Sequence, residues 1–313
     1  MTADLCVYLG EELSRYGFGE GHPFGVHRYN RFVDELERRK LFQKLHISKP
    51  VMATEEQLGL FHTPEYISRV KKLSLSGEGY LDAGDTPAFI GMFEAASTVV
   101  GTVLAAADAL MSNSCRRAFV PIAGLHHARR EGAAGFSVFN DCGVTIEWLL
   151  QQHGLSRVAY VDIDAHHGDG VFYGFEDDPR VFFADMHEDG RYLYPGSGSA
   201  EEMGRGLAEG TKLNIPMPPG ADDQAFLKTW DQVESYLLQV RPQIILLQCG
   251  VDSLAGDPIT HLKYSSASHV HATQRLRVLA EQFCAGRLLV MGGGGYNLDN
   301  IAQGWGDVVE ALL

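Results

Sequence analysis

Residues 160–171 read YVDIDAHHGDGV, and this stretch decides the fold. Apolar and β-branched positions (Val158, Tyr160, Val161, Ile163) lead into a run of carboxylates and imidazoles, and glycines take over at Gly168 and Gly170. A buried strand is expected to end here in a charged loop. On an extended backbone, side chains two apart share a face, so Asp162, Asp164 and His166 would point one way. They would lie at the carboxyl end of a strand, the edge where open α/β sheets carry their sites. Burying such groups unpaired is costly. A metal ion would account for them, and so, from this stretch alone, would a solvated loop rich in Asp and His.

Composition narrows the classes. Of 313 residues, 45% are hydrophobic and 21% charged, which excludes a disordered chain and fits a folded globule. No internal repeat, low-complexity tract or linker interrupts the chain, so one domain over 1–313 is expected. The first residues, MTADLCVYLGEE, lack the basic region and apolar run of a signal peptide. No stretch is expected to reach the length of a membrane span. Cys6, Cys115, Cys142, Cys249 and Cys284 show no CxxC spacing and read as reduced thiols, which points to a cytoplasmic setting. The net charge of −14, without a basic run, argues against a nucleic-acid partner and favours a cationic one.

Outward from the opening stretch, strands are expected at 4–9, 118–122, 157–164, 181–186, 212–217, 243–248 and 287–291. Helices are expected at 26–42, 88–111, 141–152, 222–239, 269–284 and 301–312, with two short ones within 54–75. Asp85, ahead of Thr86 and Pro87, reads as a helix entry. Arg28 falls near a helix start, where a cation opposes the dipole, so it is either exposed or met by an anion. Chemical residues collect just after strands: GLHHARREGAAGF (124–136), HEDGRYLYPGSG (187–198), VDSLAGDP (251–258) and GGGGYNLDN (292–300). Strand then helix throughout implies an α/β fold, a doubly wound, mostly parallel sheet flanked by helices, with the site at its carboxyl edge.

Two adjacent histidines after a strand point apart if extended, so His126 and His127 serve together only where the loop turns both into one pocket. Imidazole suits proton transfer near neutrality once its second nitrogen has an acceptor, for which Asp162 and Asp169 are candidates. Asp164, His166 and Asp257 would make a three-ligand site with open positions, the arrangement of a catalytic zinc. Two carboxylates in the set also admit ferrous iron. The glycine run bares its backbone to close approach, and Tyr296 ends it with a phenol donor.

Together, in this order and at these separations, GLHHARREGAAGF, VDIDAHHGDGV, DSLAGDP and GGGGYN resemble the histone deacetylase superfamily of metal-dependent acyl-lysine hydrolases, over nearly the whole chain. GEGHPFGVHR (19–28), GDTP (84–87) and HEDGRYLYPGSG are similar to its bacterial acetoin-utilisation branch. The resemblance implies an arginase/deacetylase-like fold. It implies Asp164, His166 and Asp257 as metal ligands, His127 as general base and then acid, and His126 as a second imidazole. Asp162 would orient His126 and Asp169 would orient His127, while Tyr296 would donate to the substrate carbonyl. Gly135, Phe136 and Tyr194 would line the acyl-lysine tunnel, with Leu125 beside the acyl pocket and Asp85 gripping the substrate backbone at the rim. Arg28 would lie in a channel for released acetate, which overturns the residue-level readings of Arg28 and Asp85. Relatives also hold a potassium ion through the backbone around Asp162, Asp164 and His166; here Asp185 stands where many have serine. Leu125 replaces a common tryptophan, and Ile122 and Ala123 depart from a common Pro and Gly.

The implied function is removal of acyl groups from lysine side chains of proteins. An acetylpolyamine amidohydrolase of the same superfamily, an arginase-like ureohydrolase with two manganese ions, and a noncatalytic acyl-lysine binder are the alternatives.

Overall fold

The computed structural model describes residues 3–313. In chain order the elements are β1 (Ala3–Tyr8), α1 (Glu11–Ser14), α2 (His27–Arg38), β2 (His46–Ser48), α3 (Glu55–Leu58), α4 (Pro64–Ser76), α5 (Met92–Met111) and β3 (Cys115–Val120). There follow α6 (Asp141–Gln151), β4 (Val158–Asp162), α7 (Asp169–Gly174), β5 (Val181–Glu188), β6 (Lys212–Met217), α8 (Asp223–Val240), β7 (Ile244–Gln248), α9 (Ser266–Phe283), β8 (Leu288–Met291) and α10 (Leu298–Leu312).

All eight strands pair in parallel, in the order β2-β1-β3-β8-β7-β4-β5-β6. Both faces are covered by helices. That is why IILLQ of β7 and VAYVD of β4 are buried at every position instead of alternating. The order sets β3, β8, β7 and β4 side by side, although they are far apart along the chain. Their carboxyl ends are level: Val120 pairs with Met291, Met291 with Gln248, and Gln248 with Asp162. The loops carrying the paired histidines, the glycine run, the DSLAGDP acids and the DAHH cluster therefore leave the sheet together.

Local signals fix most helix starts. Thr63 accepts from the Tyr66 N–H with Pro64 at the first position of α4, and Asn140 caps α6 by accepting from the Gly143 N–H. Four expected helices start or end three or more residues elsewhere, α9 opening at Ser266 and α10 at Leu298, each three residues early. The helix expected over 26–42 stops at Arg38, because Lys40 turns left-handed (φ 57) into a 3-10 turn at Leu41–Lys44. The helix expected from 88 begins at Met92, after Gly91 at φ 82. Residues 79–88 are instead a cross-bonded loop, Leu81 N–H to Thr86 O and Ala88 N–H to Gly79 O, so Asp85 lies in a turn and does not open a helix. A further expectation is corrected here: α5, with 20 residues, is long and apolar enough to span a membrane by length and composition. In the fold 72% of its apolar window is buried, against β3 and α6.

Candidate active site

The strand holding Tyr160 and Val161 ends at Asp162, so Asp164 and His166 stand on the loop beyond it, not on the strand itself. The loop is folded by its own acids. Asp162 Oδ1 accepts from the Asp164 N–H (3.1 Å), and Asp164 Oδ1 accepts from the His166 N–H (3.0 Å). Asp164 Oδ2 accepts from Gln248 Nε2 and from the Gly294 N–H, both at 2.8 Å. The second bond requires glycine, since a Cβ on residue 294 would stand 2.8 Å from that same oxygen.

His166 Nδ1 lies 3.1 Å from Asp164 Oδ1 and 3.0 Å from Asp252 Oδ2. Donor atoms of Asp164, His166 and Asp252 all fall within 4.8 Å of one another, and all three residues are buried. The structure thus completes this cluster with Asp252, where the resemblance implies Asp257. Asp257 stands beside it: Oδ2 accepts from the Tyr296 N–H (2.8 Å) and Oδ1 from the Ile259 N–H (3.1 Å). Burial pushes both Asp252, to about 7, and Asp257 above the usual carboxylate range, and the charge of Asp164 adds to this. Such a concentration of buried negative charge, with hard oxygen and imidazole donors converging, fits a divalent cation.

The loop after β3 turns both histidines into the same space. His126 Nδ1 donates to Asp162 Oδ2 (2.8 Å), and His127 Nδ1 donates to Asp169 Oδ1 (2.7 Å). Their Nε2 atoms then meet 3.1 Å apart. Burial lowers both imidazoles, but the charges of Asp162 and Asp164 outweigh it for His126 and carry it up to about 10. His127 is lowered by burial, then by the charge on its neighbour, to about 4. His126 is accordingly the charged member of the pair and His127 the neutral one, with its lone pair on Nε2. The Asp169 carboxylate is held below its usual range by the His127 bond, against the burial that would raise it.

Above these groups opens a cavity of about 230 Å³ lined by Asp85, His127, Gly135, Phe136, His166, Leu193, Tyr194, Ile259 and Tyr296. The Tyr194 ring stands 5.2 Å from His127, edge to face, and the Phe136 ring 5.7 Å from Tyr296. Burial keeps the Tyr296 phenol well above its ordinary pKa, hence protonated and able to donate. Asp85 stands exposed at the mouth. Leu125 is not on the cavity wall; it is buried behind the histidines, its N–H donating to Asp141 (2.8 Å).

Arg28 is neither exposed nor met by a carboxylate. Its Nε donates to Gly295 O (2.8 Å) and Nη2 to Gly293 O (2.6 Å), with the guanidinium 3.9 Å from the centre of the Phe24 ring. Its third nitrogen, Nη1, is buried with no hydrogen-bond partner among the described residues. Asp185 is wholly buried; one oxygen accepts from the Gly168 N–H (2.9 Å) and the other from His187 Nδ1 (2.8 Å). Sequence reading singled out neither Leu193 and Ile259 as cavity walls nor Gln248 as a donor to Asp164. Leu193 lies inside the aromatic loop already noted, whereas Gln248 ends an apolar strand and gave no signal beyond being its one polar residue.

A sequence profile of the histone deacetylase domain matches residues 22–312. Among curated proteins, the chain is similar to the acetoin utilization protein AcuC of Bacillus subtilis, 40% identical over 306 residues, covering 94% of this chain and 78% of that protein. It is also similar to a probable deacetylase of Archaeoglobus fulgidus, 34% identical over 297 residues and covering 94% of this chain and 81% of that one. Among solved structures, the HDA15 HD domain superposes with a TM-score of 0.92 at 26% identity, over 100% of this chain and 88% of that one.

Proposed function

Since this chain belongs to the histone deacetylase family, we propose that it is a metal-dependent amidohydrolase that removes acetyl groups from lysine side chains of proteins. The observation that carries the reading is the pair of imidazoles. Each Nδ1 is tied to its own carboxylate and the two Nε2 atoms converge beneath a narrow aromatic cavity, beside the acidic cluster.

Asp164, His166 and Asp252 would hold the ion, with zinc as the metal. Asp252 Oδ2 stands 3.0 Å from His166 Nδ1, inside the cluster, and the Ala165 N–H on its other oxygen fixes its direction, as supporting contacts do for metal-binding carboxylates. Asp257, the third ligand that the resemblance implies, spends both oxygens on the Ile259 and Tyr296 amides and stands beside the set. A divalent cation supplies Lewis acidity, polarising the amide carbonyl and making water a stronger acid.

The chain's own groups do the rest. Phe136 and Tyr194 flank the aliphatic lysine stem and keep it extended toward the base, and Asp85 at the mouth accepts from the substrate backbone amides. His127, neutral and with Nδ1 committed to Asp169, presents its Nε2 lone pair to remove the proton from water. Water attack on the carbonyl carbon gives a tetrahedral oxyanion, to which the Tyr296 phenol donates as charge develops. Positive His126, held by Asp162, adds charge stabilisation nearby. His127 then returns its proton to the departing lysine nitrogen, the C–N bond breaks, and acetate and free lysine result. The unpartnered Nη1 of Arg28 supports a route for acetate past that residue.

The net charge of −14 favours a second reading, hydrolysis of cationic acetylated polyamines. Assaying acetyl-lysine peptides against acetylated polyamines, on zinc-loaded and iron-loaded protein, separates the two. Faster release of acetate from peptides is expected; preference for polyamines would replace the first reading with the second.

A further inference from the structure

The loop that carries Asp85 is organised by a residue with no role assigned so far. Asp82 Oδ1 accepts from the N–H groups of Gly84 (3.0 Å), Asp85 (2.9 Å) and Thr86 (2.8 Å), and Oδ2 accepts from the Thr86 hydroxyl (2.6 Å). Thr86 is fully buried, and its Oγ1 accepts in turn from the Phe136 N–H at 3.2 Å. Phe136 sits at φ 66, a left-handed conformation that costs a side-chain-bearing residue roughly 1–2 kcal/mol and needs outside support. The Tyr16 hydroxyl donates to its carbonyl (2.6 Å), so both backbone groups of this tunnel wall are fastened by side chains from other segments. Meanwhile the Asp85 carbonyl accepts from His22 Nε2 (3.0 Å), and its carboxylate accepts no hydrogen bond among the described residues. The backbone of Asp85 is thus held at both its N–H and its carbonyl, while the carboxylate is left unspent. Burial would raise the Asp82 carboxyl, but the bonds from Thr86 and the backbone amides bring it below its usual value, which keeps it an acceptor on both oxygens.

We infer that Asp82 is a positioning residue for the substrate: one carboxylate sets the mouth acid Asp85 and, through the Thr86 hydroxyl, the aromatic wall at Phe136. This rests on the acyl-lysine reading of the cavity. A peptide, which offers backbone amides to Asp85, depends on the arrangement, and the loss should appear in KM more than in kcat, because neither His127 nor Tyr296 touches Asp82.

The test uses Asp82→Ala, Asp82→Asn, Thr86→Val and Asp85→Ala in the full chain, with steady-state kinetics on an acetyl-lysine peptide and amide hydrogen exchange. Asp82→Ala is expected to raise the peptide KM on the order of tenfold, the worth of one charged hydrogen bond, with a smaller change in kcat. Asp82→Asn keeps an oxygen for the three amides and should stay within about twofold of the parent. In an Asp85→Ala background, adding Asp82→Ala should raise KM by a smaller factor than in the parent, because only the Phe136 arm is then left to lose. Thr86→Val should expose the Phe136 amide to exchange while leaving the Asp85 amide protected. An unchanged KM in Asp82→Ala, an equal rise in both backgrounds, or an undisturbed Phe136 amide in Thr86→Val would overturn the inference. If the parent chain hydrolyses no acyl-lysine peptide, the functional reading fails, and exchange at residues 84, 85, 86 and 136 still decides the role of Asp82.

Discussion

Gly135→Ala perturbs the base without touching a polar group. Residue 135 has φ 50 and packs directly on the His127 ring: a Cβ there would stand 2.8 Å from His127 Cγ and 3.1 Å from its Cβ, and nearer still to Cδ2. Carbon atoms rest at about 3.5–4.0 Å, so the ring must retreat by roughly 0.7 Å or more. It cannot do so freely, because Nδ1 is bound to Asp169 Oδ1 at 2.7 Å and Nε2 faces His126. A displacement near 1 Å at a catalytic group costs on the order of 10²-fold in rate, or about 2.7 kcal/mol of barrier. The left-handed backbone adds about 1 kcal/mol of lost stability. Kinetics on an acetyl-lysine peptide, with a denaturant melt and a metal titration on the same preparation, should show kcat down about 100-fold, KM and bound metal nearly unchanged, and a slightly lower midpoint. A folded, metal-loaded Gly135→Ala enzyme with the parent kcat would refute the placement of His127 as base.

Tyr296→Phe removes one oxyanion donor and should lower kcat by a factor on the order of 10² to 10³; a parent-like kcat would take Tyr296 out of the mechanism. Chelator competition should separate the two acids near the cluster. Asp257→Asn is expected to weaken zinc about 10- to 100-fold as a supporting contact, and Asp252→Asn to weaken it further; the reverse order would make Asp257 the ligand. Away from the site, burial holds His62 down to about 3, while its Nε2 accepts from the Asn140 N–H. Its folded pKa lies below the unfolded value near 6.5, so its contribution to stability is intact above that pH and is lost as pH falls toward 3. Between pH 7 and 5 it accounts for about 2 kcal/mol of lost stability. Urea melts of His62→Gln should show a difference between those two pH values smaller by that amount, and an unchanged difference would contradict this.

Most of the fold was legible because its signals are local. Apolar runs such as IILLQ and the helical spacing of apolar residues place strands and helices directly. The strand His46–Ser48 has three residues, none of them buried, at a sheet edge, and offered no pattern to read. The order of the strands is set by contacts between distant segments, so the adjacency of the site loops could only be inferred from the chemistry they share. The same distinction runs through the site. Paired histidines and alternating acids announce themselves, and Asp252 was visible as an acid at a strand end. Arg28, by contrast, is satisfied by carbonyls more than 260 residues away, Gly293 and Gly295, so its neighbours in sequence suggested exposure. Asp85 followed by Thr-Pro looks like a helix entry, and only the cross-bonded loop around Asp82 shows otherwise.

The central claim is that an ion held by the acidic cluster lets this chain cleave an acyl-lysine amide. The measurement that tests it most directly is acetate release from an acetyl-lysine peptide by metal-stripped protein titrated with zinc. The account predicts no release at the start, a rise that saturates at one zinc per chain, and no response in His166→Ala. Full turnover by stripped protein, or none under any metal loading, would contradict it.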